Sequence, residues 1–543
     1  MRNLDIRFVL FIVGVGTHLS VVQGNMISVD WDQVDRLLEE FRRVNEVPGV
    51  ALAVVDSSGD QTGAKGYGVS DREENRPMDN STRFLIASIS KSFTAVISCR
   101  VLSLHFPELG ESVLDTPIAR LVPGFNLTLI DRYRTEQTTF RDLLSHRTCL
   151  NSYGIGVTAG AYKSRADRLY RYRYIGEKCA FRSGFEYSNP MVILAGEIIA
   201  HIVGVPFENL AMELLTELGM IDSLIVTPSE NYETLERMSR GYYRNLDGQL
   251  AKMNASVYNS HSGAASGGII STSADMARYL HFHLNKGLLD GQQIVPTEVM
   301  EWVYRASNSV PFPGLPYNDV IQGDFGYGLA LDLGLFGNLF RVGHVGDLSP
   351  FTSRMTFYPE VGLGLFTAIN GPGPLPATSD HLHLHNQLTQ LILDGVQPST
   401  SRLHKNSCSE HKSIVPKSVR DHEGHHQRIQ SEALVGVYGH PYEGDVHVSI
   451  GPGGGLELQY GIWGYGSLLE TDETNVYEIE WRGDIVAIFL AYSGGPPLPS
   501  ILWDFNTPDT LTYEDPDGRI EYRRNATIET YPEIPWSPDS CLH

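Results

Sequence analysis

The positions of the strand-forming runs constrain this chain most. Residues 50–55 are continuously apolar (Val, Ala, Leu, Ala, Val, Val) and of strand length. The turn residues Ser57, Ser58, Gly59 and Asp60 close that run, and a second strand approaches Gly68. Strand runs then stop, and resume at 327–333, 339–345, 353–358 and 363–369. Strands at both ends with helices between predict one sheet built from both termini of a domain, carrying an inserted helical lobe. Before the first strand, Val34, Leu37, Leu38 and Phe41 follow the i, i+3, i+4, i+7 pattern of an amphipathic helix. A helix followed by antiparallel strands opens an α+β sandwich, not a doubly wound sheet.

Within the lobe, helices are expected over 90–104, 191–203 and 207–218, with a short capped helix over 139–146. Another spans 272–285, opened by a Thr272-x-x-Asp275 capping box. A helix over 379–393 closes the region. Residues 165–174 alternate basic and aromatic side chains, and nucleic-acid stacking is one reading of that run. The formal net charge of -22 argues against nucleic acid and anionic membranes as main partners. The run therefore reads as a solvated amphipathic helix near a cleft.

Residues 397–430 are rich in Ser, His, Lys and Arg and read as an exposed linker. From 431 to 543 short alternating strands with Gly turns predict a small all-β domain. Residues 1–24 read as a signal peptide, with Arg2 and Arg7 ahead of an apolar stretch over 8–15. That leaves 25–396 as the main domain, with no membrane span expected. Four N-x-[ST] sequons, at Asn80, Asn126, Asn254 and Asn525, agree with secretion. Five cysteines fit an oxidising compartment with one thiol left over. The expected pairs are Cys149 with Cys179 and Cys408 with Cys541, leaving Cys99 as a buried thiol.

One motif carries chemistry. Ser88-x-x-Lys91 puts a hydroxyl and an amine on one helix face. A serine becomes a strong nucleophile when a base takes its proton, and lysine is such a base only when its pKa is depressed. The flanks are apolar, and Lys91 is the only basic residue between Arg83 and Arg100. Alone, the motif fits equally an N-terminal helix turn capped by Ser88 or Ser90, with Lys91 in solvent. Tyr187-x-Asn189 alone is a turn, and His344-Val345-Gly346 alone is a strand end.

In this order, the three motifs resemble the serine β-lactamase and penicillin-binding-protein superfamily, in its class C, esterase and D-aminopeptidase branch. Phe140-Arg141-Asp142-Leu143-Leu144-Ser145-His146 and Ala265-Ser266-Gly267-Gly268 with Asp275-Met276-Ala277 match two further blocks of that branch. The likeness covers roughly residues 31–395. It implies a secreted serine hydrolase that needs no metal or cofactor and acts on a small-molecule or peptide substrate. Ser88 would form the acyl-enzyme, Lys91 would act as base, and Tyr187 would assist proton transfer. Asn189 would orient the acyl chain or Lys91. His344 would supply a donor or partial charge, switchable near neutral pH. The backbone N–H groups of Ser88 and Asp347, the latter just past Gly346, would form the oxyanion hole. Cys149 stands where the branch has Gly, which puts the local loop conformation in question. The β domain resembles the lipocalin-like modules appended to some members.

Other patterns are set aside. His422-Glu423-Gly424-His425-His426 fits H-E-x-x-H, but it has Gly inside and lies in the polar linker. His381 and His385 share a helix face and read as surface histidines. Arg482-Gly483-Asp484 reads as a hairpin turn, as does the glycine run 451–455. The competing functional reading is an extracellular binding or matrix protein that keeps the fold without the activity. The sequence says nothing of oligomeric state.

Overall fold

A computed structural model describes residues 27–531 except 28, 60–62, 152–155, 157–158, 227–234, 236, 259–262, 311–314, 318–319, 373–374, 395–427, 494–497, 499, 516–517 and 529. The expected signal peptide, most of the linker, residues 422–426, and Cys408 with Cys541 lie outside the described residues.

The principal helices are α1 (Trp31–Asn45), α2 (Ser90–His105), α3 (Phe140–Leu144), α4 (Arg165–Arg171), α5 (Asn189–Val203), α6 (Phe207–Glu217), α7 (Ala264–Gly267), α8 (Ser273–Leu284), α9 (Leu375–Asp394) and α10 (Asp484–Ser493). The main strands are β1 (Gly49–Asp56), β2 (Gly63–Asp71), β3 (Val320–Tyr327), β4 (Asp332–Phe336), β5 (Leu339–Leu348), β6 (Phe351–Tyr358) and β7 (Leu363–Ile369). They form one antiparallel sheet in the order β3-β4-β5-β6-β7-β1-β2, with short strands at its margins. Val50 pairs with Ile369, so strands from the two ends of the domain are neighbours at its centre. Residues 50–55 of β1 are all apolar because both faces of the strand are covered. Val50, Leu52 and Val54 share a core with Val34 and Leu38 of α1 and Leu384 and Leu388 of α9. Ala51, Ala53 and Val55 face the lobe, where α8 packs on the strand.

Several local expectations change. The run 327–333 is a hairpin, not a strand: the Gly328 N–H donates to the Leu331 carbonyl at 2.8 Å, and Ala330 is left-handed at φ 54°. Thr139 and Asp142 make a full capping box on α3, but the one on α8 is half made. Thr272 accepts from the Asp275 N–H at 3.1 Å. The Asp275 carboxylate instead takes the Asp222 N–H at 2.9 Å and the Ser223 hydroxyl at 2.7 Å. His381 and His385 are buried, not surface histidines. They share their helix face with Leu384 and Leu388, so that face is core. Thr352 and Thr367 bond the two ring nitrogens of His381 at 2.9 and 2.8 Å. Thr367 and Thr356 bond those of His385 at 2.9 and 2.8 Å.

The C-terminal unit is a closed eight-stranded barrel filled by Tyr438, Tyr460, Trp503, Phe505 and Tyr522. The expected β domain is thus a barrel, with one helix, α10, following directly on the strand Val476–Arg482. Arg482-Gly483-Asp484 is therefore a strand-to-helix joint rather than a hairpin. The glycine run is a turn as expected, closed by Gly451 N–H to the Gly455 carbonyl at 2.8 Å.

The barrel explains the basic and aromatic run. Arg171 of α4 is buried, pairs with Asp167 at 2.8 Å, and donates to the Pro441 carbonyl of the barrel at 3.0 Å. Arg168 lies over the Tyr162 ring, 5.5 Å from its centre. This helix is a docking face and not a solvated one. Among the described residues no single helix is long and apolar enough to cross a membrane; α5 and α6 qualify only as a pair, bent by 87°.

Candidate active site

Residues 87–89 form a 3₁₀ turn that runs straight into α2. Ser88 and Lys91 thus meet one turn apart, with Lys91 Nζ 2.7 Å from Ser88 Oγ. The amine also donates to the Ser266 carbonyl of α7 at 2.8 Å. Lys91 is fully buried, 0% exposed, whereas Ser88 keeps partial access to solvent. Burial disfavours the ammonium and drives Lys91 well below the ordinary lysine range. Among the described residues no carboxylate pairs with it. The capping reading, with Lys91 in solvent, is excluded. Ala87, just ahead of Ser88, is left-handed at φ 47°, a strained conformation for a residue with a Cβ.

Tyr187 stands on the loop that leads into α5, and Lys91 Nζ lies 5.0 Å from the centre of its ring. Asn189 is the first residue of α5 and makes no hydrogen bond to Lys91.

His344 sits on β5. Its Nδ1 lies 2.5 Å from the Val345 carbonyl, which can only accept, so Nδ1 carries the proton. Its Nε2 then accepts from the Tyr327 hydroxyl at 2.8 Å. Both ring nitrogens are engaged within the protein. Burial, and then the nearby Lys91, push His344 down to about 3. The switch near neutral pH anticipated for it is absent, because a buried imidazole beside a second base is held neutral.

Strand β5 outlasts β4. Pairing with β4 ends at Gly343, while pairing with β6 continues to Leu348. The free margin at 344–348 meets the 86–89 turn. A Cβ on Gly346 would fall 2.1 Å from the Ile86 carbonyl oxygen, so only glycine permits this approach. Asp347 follows at the same rim with an exposed side chain.

The structure therefore gathers Ser88, Lys91, Tyr187 and His344, with Gly346 bringing β5 up to the turn. It adds residues that sequence reasoning passed over. Tyr327 holds His344. His146 lies against Tyr187, with ring centres 4.4 Å apart, and is buried and held neutral by burial first and by Lys91 second. His146 falls inside a block already matched to the branch, a signal that could have found it; Tyr327 carries none. Cys149 bonds Cys179 as expected. It is left-handed at φ 54°, which explains why glycine suits its position. Cys99 is buried and pushed up to about 12 by burial.

A hydroxyl 2.7 Å from a neutral amine can lose its proton as it attacks an electrophile. The chemistry on offer is acyl transfer through serine.

The comparisons agree. A family model described as Beta-lactamase matches residues 34–389. An unguisins hydrolase of Aspergillus violaceofuscus is 27% identical over 261 residues, covering 46% of this chain and 44% of its own. The chain thus spans less than half of that relative. A D-amino acid amidase from Ochrobactrum anthropi superposes with a TM-score of 0.53 at 26% identity, over 68% of this chain and 99% of its own. An octameric penicillin-binding protein homologue from Pyrococcus abyssi shares the fold, with a TM-score of 0.55 at 20% identity, over 91% of this chain and 100% of its own.

Proposed function

This chain belongs to the beta-lactamase family, and from that premise we propose that it is a secreted serine hydrolase cleaving an ester or amide through an acyl-enzyme on Ser88. The observation that carries the reading is Lys91: fully buried, without a carboxylate partner, and 2.7 Å from the Ser88 hydroxyl.

Ser88 Oγ attacks the substrate carbonyl carbon as its proton passes to Lys91 Nζ. The Ser266 carbonyl holds the amine in place as it becomes ammonium. The carbonyl oxygen takes up negative charge, facing the N–H groups of Ser88 and Asp347. Collapse of this tetrahedral adduct breaks the bond to the leaving group, which takes a proton by way of Tyr187. Water then attacks the acyl-enzyme, and its proton returns along the same groups. Gly346 supports the oxyanion assignment, since it lets β5 reach the turn. Asn189, at the head of α5, is assigned to the acyl chain. The amidase and the unguisins hydrolase support a small-molecule or peptide substrate.

Secretion is supported by the apolar N-terminal stretch, by the Cys149–Cys179 disulfide, and by the exposure of Asn80, Asn126, Asn254 and Asn525.

Incubation with a fluorophosphonate probe and mapping of the labelled peptide tests the reading. Ser88 should carry the label, and Ser88→Ala should abolish it while the protein stays folded. Undiminished labelling of the alanine variant would refute the assignment, and a folded wild type that takes no label would favour a binding protein without activity.

A further inference from the structure

The phenol of Tyr187 has to be held in place to serve Ser88, yet it sits on an irregular loop outside any sheet ladder. Earlier in the loop the Cys149–Cys179 disulfide and the Arg182–Asp142 pair anchor the chain; at Tyr187 itself the backbone contacts converge on one residue. The N–H of Glu186 donates to the His146 carbonyl at 3.0 Å. The N–H of Ser188 donates to His146 Nδ1 at 3.0 Å. Both amides flanking Tyr187 therefore end on His146. Its ring also lies on the Tyr187 ring, 4.4 Å between centres at 42°, and meets the Phe185 ring edge-on at 5.5 Å. His146 itself is fixed: it is 0% exposed, and Asn308 Nδ2 donates to the neighbouring Ser145 carbonyl at 3.0 Å.

The hydrogen bonding shows why this residue is histidine. Nδ1 accepts an amide hydrogen, so the proton of the neutral ring is on Nε2. Nε2 is buried and has no partner among the described residues. A side chain chosen only to fill space would not carry a buried donor without an acceptor, since that group loses its water and gains nothing. The Nδ1 bond to Ser188 is the gain that offsets it. His146 has no route to substrate, because that nitrogen is closed to solvent.

We propose that His146 is the positioning residue for Tyr187: it clamps the amides on either side of the tyrosine and packs its ring on the phenol, holding the phenol oxygen where it hands a proton to the leaving group. This rests on the serine hydrolase reading above. It predicts a dependence on the leaving group. An alkoxide departs only as a proton reaches it, so an alkyl ester needs an aligned Tyr187. A nitrophenolate leaves without one.

Two variants of the full chain separate the contacts. His146→Phe keeps a ring and loses the acceptor; His146→Asn keeps an acceptor near the Nδ1 position and loses the ring. Each is assayed for Ser88 labelling by a fluorophosphonate, and for kcat and KM on nitrophenyl and alkyl esters of one acid. Both variants should still label at Ser88. Turnover of the alkyl ester should fall by about 10²-fold with KM little changed, as for a misplaced general acid. The nitrophenyl ester should lose at least about tenfold less, and adding Tyr187→Phe should cost little more. Equal losses on both esters would reduce His146 to a structural residue and overturn the proposal, as would unchanged rates. These outcomes leave the serine hydrolase reading standing if the wild type labels at Ser88; a wild type that does not label removes both. Should His146→Phe not fold, His146→Asn carries the test.

Discussion

A lysine buried without a counter-ion has to lose its proton easily, and this property makes Lys91 useful to Ser88. An unperturbed lysine titrates near ~10.4; burial lowers Lys91 well below that. A base works when deprotonated, so activity should rise with pH through the depressed Lys91 value, and the acid limb of kcat/KM should fall below the ordinary lysine range. His344, already down at about 3, does not contribute to that limb. Lys91→Arg keeps a charge that does not deprotonate, and acylation should drop by about 10²-fold or more, as read from burst kinetics with an activated ester. Near wild-type turnover in that variant would leave Tyr187 as the principal base. The Ser88–Lys91 contact was legible because i, i+3 spacing on a helix dictates it. Tyr187 and His344 come from distant segments, so resemblance alone united them with Ser88. His146 stood in the matched block 140–146, but its tie to Tyr187 runs through backbone amides and a ring face, which no spacing reveals.

Element by element, faces were misjudged where the covering partner lies far along the chain. Helix α4 looks amphipathic and basic, but the barrel, more than two hundred residues later, buries Arg168 and Arg171. Helix α9 shows the same error with a signal that was present. His381, Leu384, His385, Leu388 and Ile392 recur at i, i+3, i+4, i+7 and i+11, so the two histidines lie in an apolar stripe. Each then needs partners for both ring nitrogens, and the threonines of β6 and β7 supply them. His381→Ala would strand the Thr352 hydroxyl, take one of two partners from Thr367, which keeps His385, and open a cavity. The expected loss is about 2–4 kcal/mol, read as a lower denaturant midpoint with an unchanged slope. An unaltered midpoint would mean that water replaces the imidazole at no cost.

Across the whole molecule, the buried bases set an acid limit on stability, and they are unevenly shared. His146, His283, His344, His381 and His385 are all buried in the sandwich, and all are lowered by burial first. Such a group is neutral when folded but takes up a proton below about 6.5 when unfolded. Its contribution is therefore complete above that pH and is lost as pH falls toward its folded value, about 3 for His283 and His344. Each histidine costs about 1.4 kcal/mol per pH unit across that window. Asp332, raised to about 7 by burial and by Asp324, acts in the opposite direction, since protonation favours its folded form. Asp347, raised to about 6 by desolvation at its rim, acts the same way, and burial raises Glu197, Asp275 and Asp380 as well. Between about pH 6.5 and pH 5 the strongly raised pair, Asp332 and Asp347, offsets only part of the loss from five histidines. Among the described residues of the barrel, His440, lowered to about 4, is the comparable imidazole, and burial raises one carboxyl, Asp445. Scanning calorimetry from pH 7 to pH 5 should therefore show the sandwich transition moving down in temperature well ahead of the barrel transition. Two transitions that shift together would mean that docking through Arg171 makes the sandwich and the barrel unfold as one unit, and a sandwich transition that does not move would show that these imidazoles are not neutral in the folded protein.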